Sequence, residues 1–439
     1  MRVVDQMMDL VWAGFLGTRA IAGIGVAQQY TQMAWTSRQG IDTAQRAMVS
    51  RAIGRGDTAL AEHVVFQCAT VTMVFFVIIA TIGVVFTVPM LQLLGVSDAV
   101  VSQAAPYMRI QFLGQGVIGL QQLSGHALAA SGDVMTPMRA TLVGRAVKIF
   151  LSPALVFGFF FIPEIGLAGA ALATVFANGI GLVINGRALF SDQSKIHLRL
   201  ANYRFDPAMI RQILKIAVPA AVNGAERSMA QLILVPLVTP FGDTALAGFT
   251  LTRRVQMFAN LGSQGVGQAS GIIVGQNLGA GKPERARKTV LWATGYVVVA
   301  KSAFSLFVFF FPELLLSIFS RDQEFIEVAS TWVRIQAFAY VAMGVGQVAM
   351  QSFMAAGDTF FPMIVTLITM WGVQQPFAYL FSQELGMGQY GIAWAISISM
   401  FARLFFYVPY FFWGRWLRVD VFKDDPGRQP PAVQEVEAV

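Results

Sequence analysis

The stretch LAASGDVMTPM (128–138) returns later in the chain as FMAAGDTFFPM (353–363), at an offset of 225 residues. Each copy carries a Gly-Asp pair and a proline at the same spacing. The same offset holds across most of each half, and this predicts that the chain is a duplication of one structural unit. It also relates YMRIQ (107–111) to WVRIQ (332–336), LGTRAIAG (16–23) to FGDTALAG (241–248), and Gly166 to Gly391.

The composition of the chain points to lipid as its main solvent. Of its 439 residues, 56% are hydrophobic and only 13% are charged, whereas soluble globular domains carry about 25% charged residues. Together with a shorter segment at 1–16, the apolar stretches predict an all-α membrane protein of twelve transmembrane helices, each about 20 residues or longer. These stretches fall near 19–50, 62–88, 101–130, 137–161, 165–190, 207–239, 242–275, 284–311, 324–355, 359–383 and 388–415.

Lysine and arginine residues set the predicted orientation of these helices. They are concentrated in the connections after even-numbered helices, for example at Arg187 and Lys195 and at Lys282 and Arg285. Because basic loops stay on the cytoplasmic side, we expect both termini of a multi-pass protein in the plasma membrane, the inner membrane of a bacterium, to lie in the cytoplasm. The net charge of +7 is therefore a signal of topology, and we expect no nucleic-acid partner.

The duplication also predicts how the chain is divided. Six crossings return it to the side on which it started, so both copies have the same orientation. We predict two six-helix lobes related by a pseudo-two-fold axis along the membrane normal, an arrangement known from secondary transporters, in a protein that acts as a monomer. The predicted parts are the N-terminal lobe 1–190, a cytoplasmic linker 191–206, the C-terminal lobe 207–418 and a disordered cytoplasmic tail 419–439.

The first predicted helix is short. Pro219 opens the seventh helix, and its partner in the repeat would lie before Met1. Sixteen residues of α-helix span about 24 Å, less than the ~30 Å of a hydrocarbon core. We therefore expect the first helix of this sequence to lack its cytoplasmic turns.

Charged residues inside apolar segments are the first candidates for function, because an ionised side chain in mid-membrane is costly. Asp9 lies near mid-depth in the first helix, and we predict that it is the coupling carboxylate; a structural hydrogen-bonding role is the alternative. Asp5, one turn away, either shares this role or lies near the cytoplasm. Glu226 in helix 7 is a candidate cation site of the second lobe. Arg253 and Arg254 in helix 8 are expected to pair with acidic groups.

Several loops and helix junctions resemble those of the multidrug and toxic compound extrusion (MATE) transporters. VGQNLGAGKPERARKTV (274–290) is similar to the family's loop between helices 8 and 9, and RAIGRGDTALAE (51–62) to its counterpart in the first lobe. MDLVWAGFLGTRAIAG (8–23) resembles the junction of helices 1 and 2, and the resemblance covers nearly the whole chain in order. It implies an antiporter that exports organic cations or other amphiphilic compounds in exchange for H⁺ or Na⁺, with no other cofactor.

The resemblance is closer to the DinF-like branch of this family than to the NorM-like branch. NorM-like members carry acidic residues in helices 7 and 10. Here Gly344 stands where the aspartate of helix 10 would fall, three residues before Gln347, and Glu226 is one position out of register in helix 7. Helix 10 therefore lacks the acidic residue of the NorM-like pattern.

Further substrate-binding residues are implied on helices 5 and 6. Lys148 and Ser152 occupy the places of an asparagine and an aspartate of the DinF-like pattern, and Thr174 matches a polar position of helix 6. Lys148 is either a counter-ion to Asp9 or a side chain that snorkels to the cytoplasmic surface. The predicted substrate-binding residues are Lys148, Ser152, Thr174, Glu226 and Gln347.

Two alternative functions remain beside the antiporter. A flippase for lipid-linked precursors, from the same broad superfamily, would need a large and strongly basic central cavity. An intramembrane enzyme would need a cluster of His, Asp, Glu or Ser side chains at one depth. The sequence has only three scattered histidines (His63, His126 and His197) and one cysteine, so we expect a transporter and not an enzyme.

Overall fold

The computed structural model describes residues 2–93, 98–158, 164–191, 194–317 and 322–422, except for the side chains of residues 2–7, 10, 18, 19 and 26. All regular secondary structure in these ranges is helical, and they contain no strand. The predicted all-α fold class is therefore confirmed. The chain divides into two compact units, one comprising residues 1–53 and 57–214 and the other residues 54–56 and 215–439.

The first unit holds the first six predicted segments and one short extra helix. Phe86 ends the third helix, and the short helix that follows continues for only two turns. Apolar side chains of the second and fifth helices pack together in its core around Ile24 and Met108. The helices are α1 (Arg2–Leu16), α2 (Thr18–Gly54), α3 (Thr58–Val85), α4 (Thr87–Leu93), α5 (Asp98–Ser131), α6 (Met135–Phe157) and α7 (Leu167–Phe190).

The second unit holds the other six predicted segments. The segment predicted at 324–355 consists of two helices that meet at Phe338, and the segment predicted at 359–383 contains two π-helical stretches, Ile368–Gln374 and Leu380–Glu384. Its helices are α8 (Pro207–Val238, which begins in the first unit), α9 (Asp243–Gly279), α10 (Pro283–Phe310), α11 (Pro312–Leu316), α12 (Gln323–Ala337), α13 (Ala339–Ala355), α14 (Phe360–Leu367), α15 (Gln375–Tyr379) and α16 (Gln389–Trp413).

Corresponding helices of the two copies end with the same backbone geometry. The chain turns after α5 at Gly132 and after α13 at Gly357, with positive φ angles of 105° and 94°. The next amides, of Asp133 and Asp358, each donate a hydrogen bond of 3.0 Å to the carbonyl five residues earlier. These are the bonds of a Schellman cap, in which glycine is favoured because it has no Cβ. The stretch that predicted the duplication thus forms the same cap twice.

The repeat pairing predicted for the last helix of each copy is wrong by three residues. Gly166 precedes α7 with φ 61° and ψ −139°, and the matching glycine before α16 is Gly388, with φ 59° and ψ −145°, and not Gly391. The local offset is therefore 222 residues. The reason is a shorter connection: Gly388 lies 31 positions after Gly357, whereas Gly166 lies 34 positions after Gly132.

Six helices are long and apolar enough to cross a membrane when the described residues are searched. They are α3, α6, α7, α10, the stretch Phe360–Glu384, and α16. The long helices α2 and α9 are absent from this set. Each carries charged side chains within its length, Arg38 and Asp42 on α2 and Arg253 and Arg254 on α9. Charged residues lower the mean hydropathy of a helix. Composition alone therefore identifies as membrane-spanning mainly those helices that carry few charged residues.

The predicted linker lies along the first turns of α3. Glu62 Oε1 accepts a hydrogen bond of 2.5 Å from the backbone amide of Arg199, and His63 Nε2 lies 3.2 Å from Asp206 Oδ2. A short 3₁₀ turn at Leu200–Asn202 lies between these contacts. The linker residues in contact with α3 are therefore held by side-chain hydrogen bonds.

Most of the predicted tail, residues 423–439, lies outside the described residues. The part that is described is packed. Val421 and Phe422 are buried, and the guanidinium of Arg55 lies 4.9 Å from the centre of the Phe422 ring. Ordered structure therefore extends four residues beyond the predicted start of the tail.

Candidate functional site

The first unit encloses a polar cavity of about 360 Å³. Helices α1, α2, α5, α6 and α7 contribute to its wall. Along each of the longer helices the lining side chains recur at intervals of three or four residues, which places them on one helical face. On α2 they are Gln28, Thr31 and Trp35; on α5 Tyr107, Gln111, Gln115, Ile118, Gln121 and Gln122; on α6 Thr141, Arg145 and Lys148; and on α7 Thr174 and Asn178.

Asp9 and Lys148 form a buried ion pair in the wall of this cavity. Lys148 Nζ lies 2.9 Å from Asp9 Oδ1, and the two side chains are only 3% and 6% exposed. The pair joins α1 to α6 and satisfies two charges that would each be costly to bury alone. The alternatives for Lys148 are thereby decided, because its side chain is a counter-ion to Asp9 and does not reach the surface.

The other predicted residues of the first unit differ in their relation to the cavity. Thr174 lines it, and its hydroxyl donates a hydrogen bond of 3.0 Å to the carbonyl of Ala170. Ser152 is fully buried on α6, one turn beyond Lys148, but does not line the cavity. Asp5 belongs to α1, and its side chain lies outside the described residues. The structure therefore brings Thr174 into the cavity of the Asp9 pair.

A second buried carboxylate of this unit, Asp42, lies beside a guanidinium and an imidazole. Arg38 Nη1 lies 2.8 Å from Asp42 Oδ1, and His126 Nδ1 lies 3.5 Å from the same oxygen. Arg38 also donates a hydrogen bond to the side-chain oxygen of Gln122, which lines the cavity. The cluster links α2 to α5 beside the cavity wall, and the carboxylate is already charge-compensated.

The second unit encloses its own cavity, of about 450 Å³. Side chains of α8, α9, α13, α16 and the π-helical stretch after α14 form its wall. Its charged lining residues are four arginines, and no Asp or Glu of the described chain belongs to the wall. The polar and methionine lining side chains are Gln231, Thr250, Gln256, Asn260, Gln264, Gln347, Gln374, Ser399, Met257, Met343, Met370 and Met400.

The four arginines are Arg227, Arg253, Arg254 and Arg403, and none forms an ion pair with a described residue. Arg253 donates a hydrogen bond of 2.6 Å to the amide oxygen of Gln231 and lies over the Phe249 ring at 5.7 Å. The expectation that Arg253 and Arg254 pair with acidic groups is therefore wrong. The reason is that the helices pack so that Arg253 lies beside the amide of Gln231, and no described carboxylate lines the cavity.

Two further predicted residues belong to the second unit. Gln347 lines the cavity. Glu226 is buried on α8 but does not line it, and its Oε2 accepts no hydrogen bond from a described residue. At Gly344, the position of the missing aspartate, an added Cβ would lie 3.0 Å from Lys301 Cγ. A lysine stem therefore fills the space beside this position.

The comparison with known families decides what kind of protein carries these two cavities. The family model MatE matches residues 3–154 and 219–380, one match in each copy of the repeat. The protein belongs to the MATE family. It is therefore a multi-pass membrane transporter of small molecules and not an enzyme, as the sequence predicted.

Individual known proteins are similar to this chain over most of its length. A probable multidrug resistance protein of Bacillus subtilis, YoeA, is 23% identical over 407 residues, covering 90% of this chain and 88% of the relative. A protein of Shewanella oneidensis named FAD transporter is 24% identical over 344 residues, covering 77% and 75%. The crystal structure of the Vibrio cholerae MATE transporter VcmN in the bent form superposes with a TM-score of 0.86 at 20% identity, covering 94% of each chain. At this identity the structural match establishes the fold alone.

Sequence reasoning missed the charged groups that lie between helices of this MATE transporter. Asp42 stands four residues after Arg38 inside a predicted span, and this spacing is the signal that could have identified the pair. Arg227 and Arg403 lie 176 positions apart in the sequence, and no local pattern indicates that they line one cavity. The glutamines of α5 had a local signal, because they recur four and six or seven residues apart along an apolar helix.

Proposed function

We propose that this MATE transporter is a secondary active antiporter that exports small amphiphilic molecules in exchange for H⁺ or Na⁺. The observation that carries the proposal is the buried ion pair of Asp9 and Lys148 in the wall of a polar cavity. A carboxylate that is held by an ammonium can exchange this partner for another cation. Binding of the coupling ion to Asp9 then breaks the ion pair that connects α1 to α6.

The pair explains how one ion can change the access to the cavity. When a proton or Na⁺ takes the place of the ammonium at Asp9, the contact between α1 and α6 opens and Lys148 must find a new partner. The two arrangements of α1 present the cavity to opposite sides of the membrane, and the coupling ion shifts the population between them. Thr174 and the glutamines of the wall offer hydrogen bonds to the cargo in one of these states.

The distribution of basic residues supports the proposed membrane location and topology. Basic residues concentrated in alternate connections favour cytoplasmic termini and twelve crossings of a bacterial inner membrane. A cavity enclosed within each unit favours a monomer as the working form. The assignment to the DinF-like branch stays a prediction, and so do the substrate-binding roles of Lys148, Ser152, Thr174, Glu226 and Gln347.

The cargo is an organic cation or another amphiphilic compound. Multidrug resistance proteins among the relatives support a broad range of amphiphiles, and the relative named FAD transporter supports cargo that is not a simple cation. One observation favours a second candidate, the flippase for lipid-linked precursors. That function needs a basic cavity, and four arginines line the cavity of the second unit.

Transport in liposomes tests the antiporter. The wild type and the variant Asp9→Asn are reconstituted, and uptake of a fluorescent amphiphile is measured under separately imposed pH and Na⁺ gradients. Glu313→Gln is the matched control, because this carboxylate also pairs with a basic side chain, at 2.7 Å from Arg334, but is exposed. We expect gradient-driven transport in the wild type and the control and none in Asp9→Asn.

The two gradients also identify the ion, since only the coupling gradient drives uptake. Full activity of Asp9→Asn would overturn the role of Asp9 and move the coupling site to Asp42 or Glu226. Transport that proceeds equally without either gradient would contradict antiport altogether.

A further inference from the structure

Among the described residues, the charged side chains that line the cavity of the second unit are of one sign. Arg227 on α8, Arg253 and Arg254 on α9, and Arg403 on α16 all line it. Arg403 is among the charges that act on Arg227, so the two guanidinium groups repel each other. Three helices thus bring like charges to one cavity of about 450 Å³.

The protein itself provides little compensation for these charges. The Nε atoms of Arg227 and Arg403 are buried and find no hydrogen-bond acceptor among the described residues. Arg227 Nη2 makes one contact of 3.4 Å to the sulfur of Met350, a weak acceptor. A buried Nε donor without an acceptor is costly, and the rest of each half-buried guanidinium is free to meet an acceptor that enters the cavity from outside the chain.

The nearest carboxylates do not change this balance. Glu226 neighbours Arg227 in sequence but does not line the cavity. Asp243 and Asp322 line an open groove that shares Thr250 and Arg254 with the cavity, and Arg254 forms no ion pair within the described chain. Lys301, a further basic residue of this unit, packs beside Gly344 and donates to the carbonyl of Ala259, and it does not line the cavity.

The rest of the wall suits the body of an organic molecule. Four methionines offer flexible, polarizable apolar contacts, and the amides of Gln231, Gln256, Gln347 and Gln374 offer donors and acceptors that fix orientation. The volume is within the range of cavities that hold small organic ligands. Charge and apolar contact are thus available in the same cavity.

We propose that the cavity of the second unit binds amphiphilic organic anions, whose carboxylate, sulfonate or phosphate is held by Arg227 and Arg403. This deepens the proposed function, on which it rests for the assignment of the cavity to the transport cycle. The planar guanidinium matches an oxyanion with two parallel hydrogen bonds. The anion compensates the like charges that the chain leaves unpaired, while its apolar part packs on the methionines.

Binding of two dyes with one ring system and opposite charge tests the proposal. Carboxyfluorescein is anionic and rhodamine 6G is cationic, and both are built on xanthene. Fluorescence anisotropy is measured with the full chain purified in a neutral detergent, without any gradient. We expect carboxyfluorescein to bind the wild type, and Arg227→Gln and Arg403→Gln each to weaken its binding by at least about tenfold.

Matched variants separate the loss of the charge from a loss of fold. Arg334→Gln removes an exposed arginine of the same unit that lies outside the cavity, and it should leave binding unchanged. Arg227→Lys keeps the charge and should retain part of the affinity. Because Arg227→Gln removes a charge repelled by Arg403, its thermal midpoint without dye should not fall. Equal binding of carboxyfluorescein by all variants, or tighter binding of rhodamine 6G by the wild type, would overturn the proposal.

A second arm identifies the source of the anion. The protein is placed in nanodiscs of phosphatidylcholine alone or with phosphatidylglycerol, and carboxyfluorescein is titrated again. Competition by phosphatidylglycerol that is lost in Arg227→Gln would assign the cavity to a lipid headgroup. Unchanged dye binding would assign it to a water-soluble amphiphile. Both results support an anion site.

The outcomes also distinguish this proposal from the antiporter. Cation uptake that depends on Asp9, together with an absence of carboxyfluorescein binding, would overturn the anion site and leave antiport intact. Arginine-dependent dye binding without gradient-driven transport would support the anion site and contradict antiport.

Discussion

Lys148 Nζ lies 2.9 Å from Asp9 Oδ1, and this ion pair connects the first helix of the chain to the fifth predicted span. The two residues stand 139 positions apart in the sequence. Each side chain alone is a buried charge, and together they are neutral. The pair is therefore a structural contact and a candidate switch at once, because any cation that binds Asp9 must compete with Lys148.

The first prediction concerns the stability of the pair. Asp9→Asn or Lys148→Gln alone leaves one buried charge without its partner and should cost about 3 kcal/mol or more. The double variant Asp9→Asn/Lys148→Gln removes both charges and should recover most of this loss. Thermal unfolding of the purified variants measures these losses of stability. Arg334→Gln is the control, because it breaks an exposed ion pair and should cost less than about 1 kcal/mol. A double variant less stable than both single variants would contradict a buried ion pair.

The second prediction concerns competition for Asp9. In Lys148→Gln the carboxylate no longer has a built-in cation, so the coupling ion should bind more tightly. We expect the ion concentration for half-maximal dye transport to fall by at least about tenfold, since leaving one partner of a buried pair uncompensated costs about 3–5 kcal/mol and a tenfold change in affinity corresponds to about 1.4 kcal/mol. The measurement is the dependence of transport on pH and on Na⁺. An unchanged ion dependence in Lys148→Gln would mean that the ammonium does not compete for the coupling site.

The third prediction uses the duplication as its own control. Gly132→Ala and Gly357→Ala both place a Cβ on a residue with positive φ, which costs about 1–2 kcal/mol. At Gly132 the new atom meets nothing within 4 Å, whereas at Gly357 it would lie 2.2 Å from Val421 Cγ1. We expect Gly357→Ala to lose about 1–3 kcal/mol more than Gly132→Ala, because of overpacking.

Thermal midpoints of the two glycine variants make this comparison. Adding Val421→Ala should relieve the loss in Gly357→Ala and leave the loss in Gly132→Ala unchanged. Equal midpoints for the two glycine variants would show that Val421 moves aside without cost.

The fourth prediction concerns acid and the linker. Burial by itself raises the pKa of Asp206, but hydrogen bonds from the amide of Met209, from His63 and from the amide of Ala208 lower this pKa below its ordinary value. A lowered pKa means that the folded state favours the ionised carboxylate. Its contribution to stability is complete above the ordinary value, about pH 4, and is lost as the pH falls through the lowered pKa.

Thermal midpoints of wild type and Asp206→Asn between pH 3 and pH 7 measure this effect. The asparagine can still cap α8 through its side-chain oxygen, so the variant should lose the acid dependence and keep the cap. Because the side chain is 37% exposed, solvent screening should keep the effect below about 1 kcal/mol. An identical acid dependence in both proteins would assign it to other groups.

The helices and their order could be predicted from the sequence because both depend on local signals. Apolar stretches of sufficient length indicated the spans, and the Gly-Asp turns at 132–133 and 357–358 indicated where two of them end. The pairing of Gly166 with Gly391 was wrong because it assumed one constant offset. The connection before α16 is three residues shorter than the one before α7, and this changes the offset for the helices that follow. The glycines at the two helix caps could be predicted from the sequence, because such a cap depends on the φ angle of a single residue.

The chemistry of the two cavities depended on tertiary contacts. Asp9 was identifiable by itself as a carboxylate in an apolar helix, but its partner was not, because Lys148 meets it only after α6 packs beside α1. Likewise Arg253 was expected beside an acid, and packing brought it to Gln231 instead.

The sequence by itself determined that this protein is a duplicated, all-helical membrane protein with a carboxylate in its first helix. These features follow from hydrophobicity, spacing and glycine, which act within one segment of the chain. Only the tertiary structure decided that Asp9 is neutralised by Lys148 and that Arg227 and Arg403 share a cavity that no carboxylate of the described residues lines. Electrostatic energy depends on distances between side chains, and those distances are set by how separate helices pack.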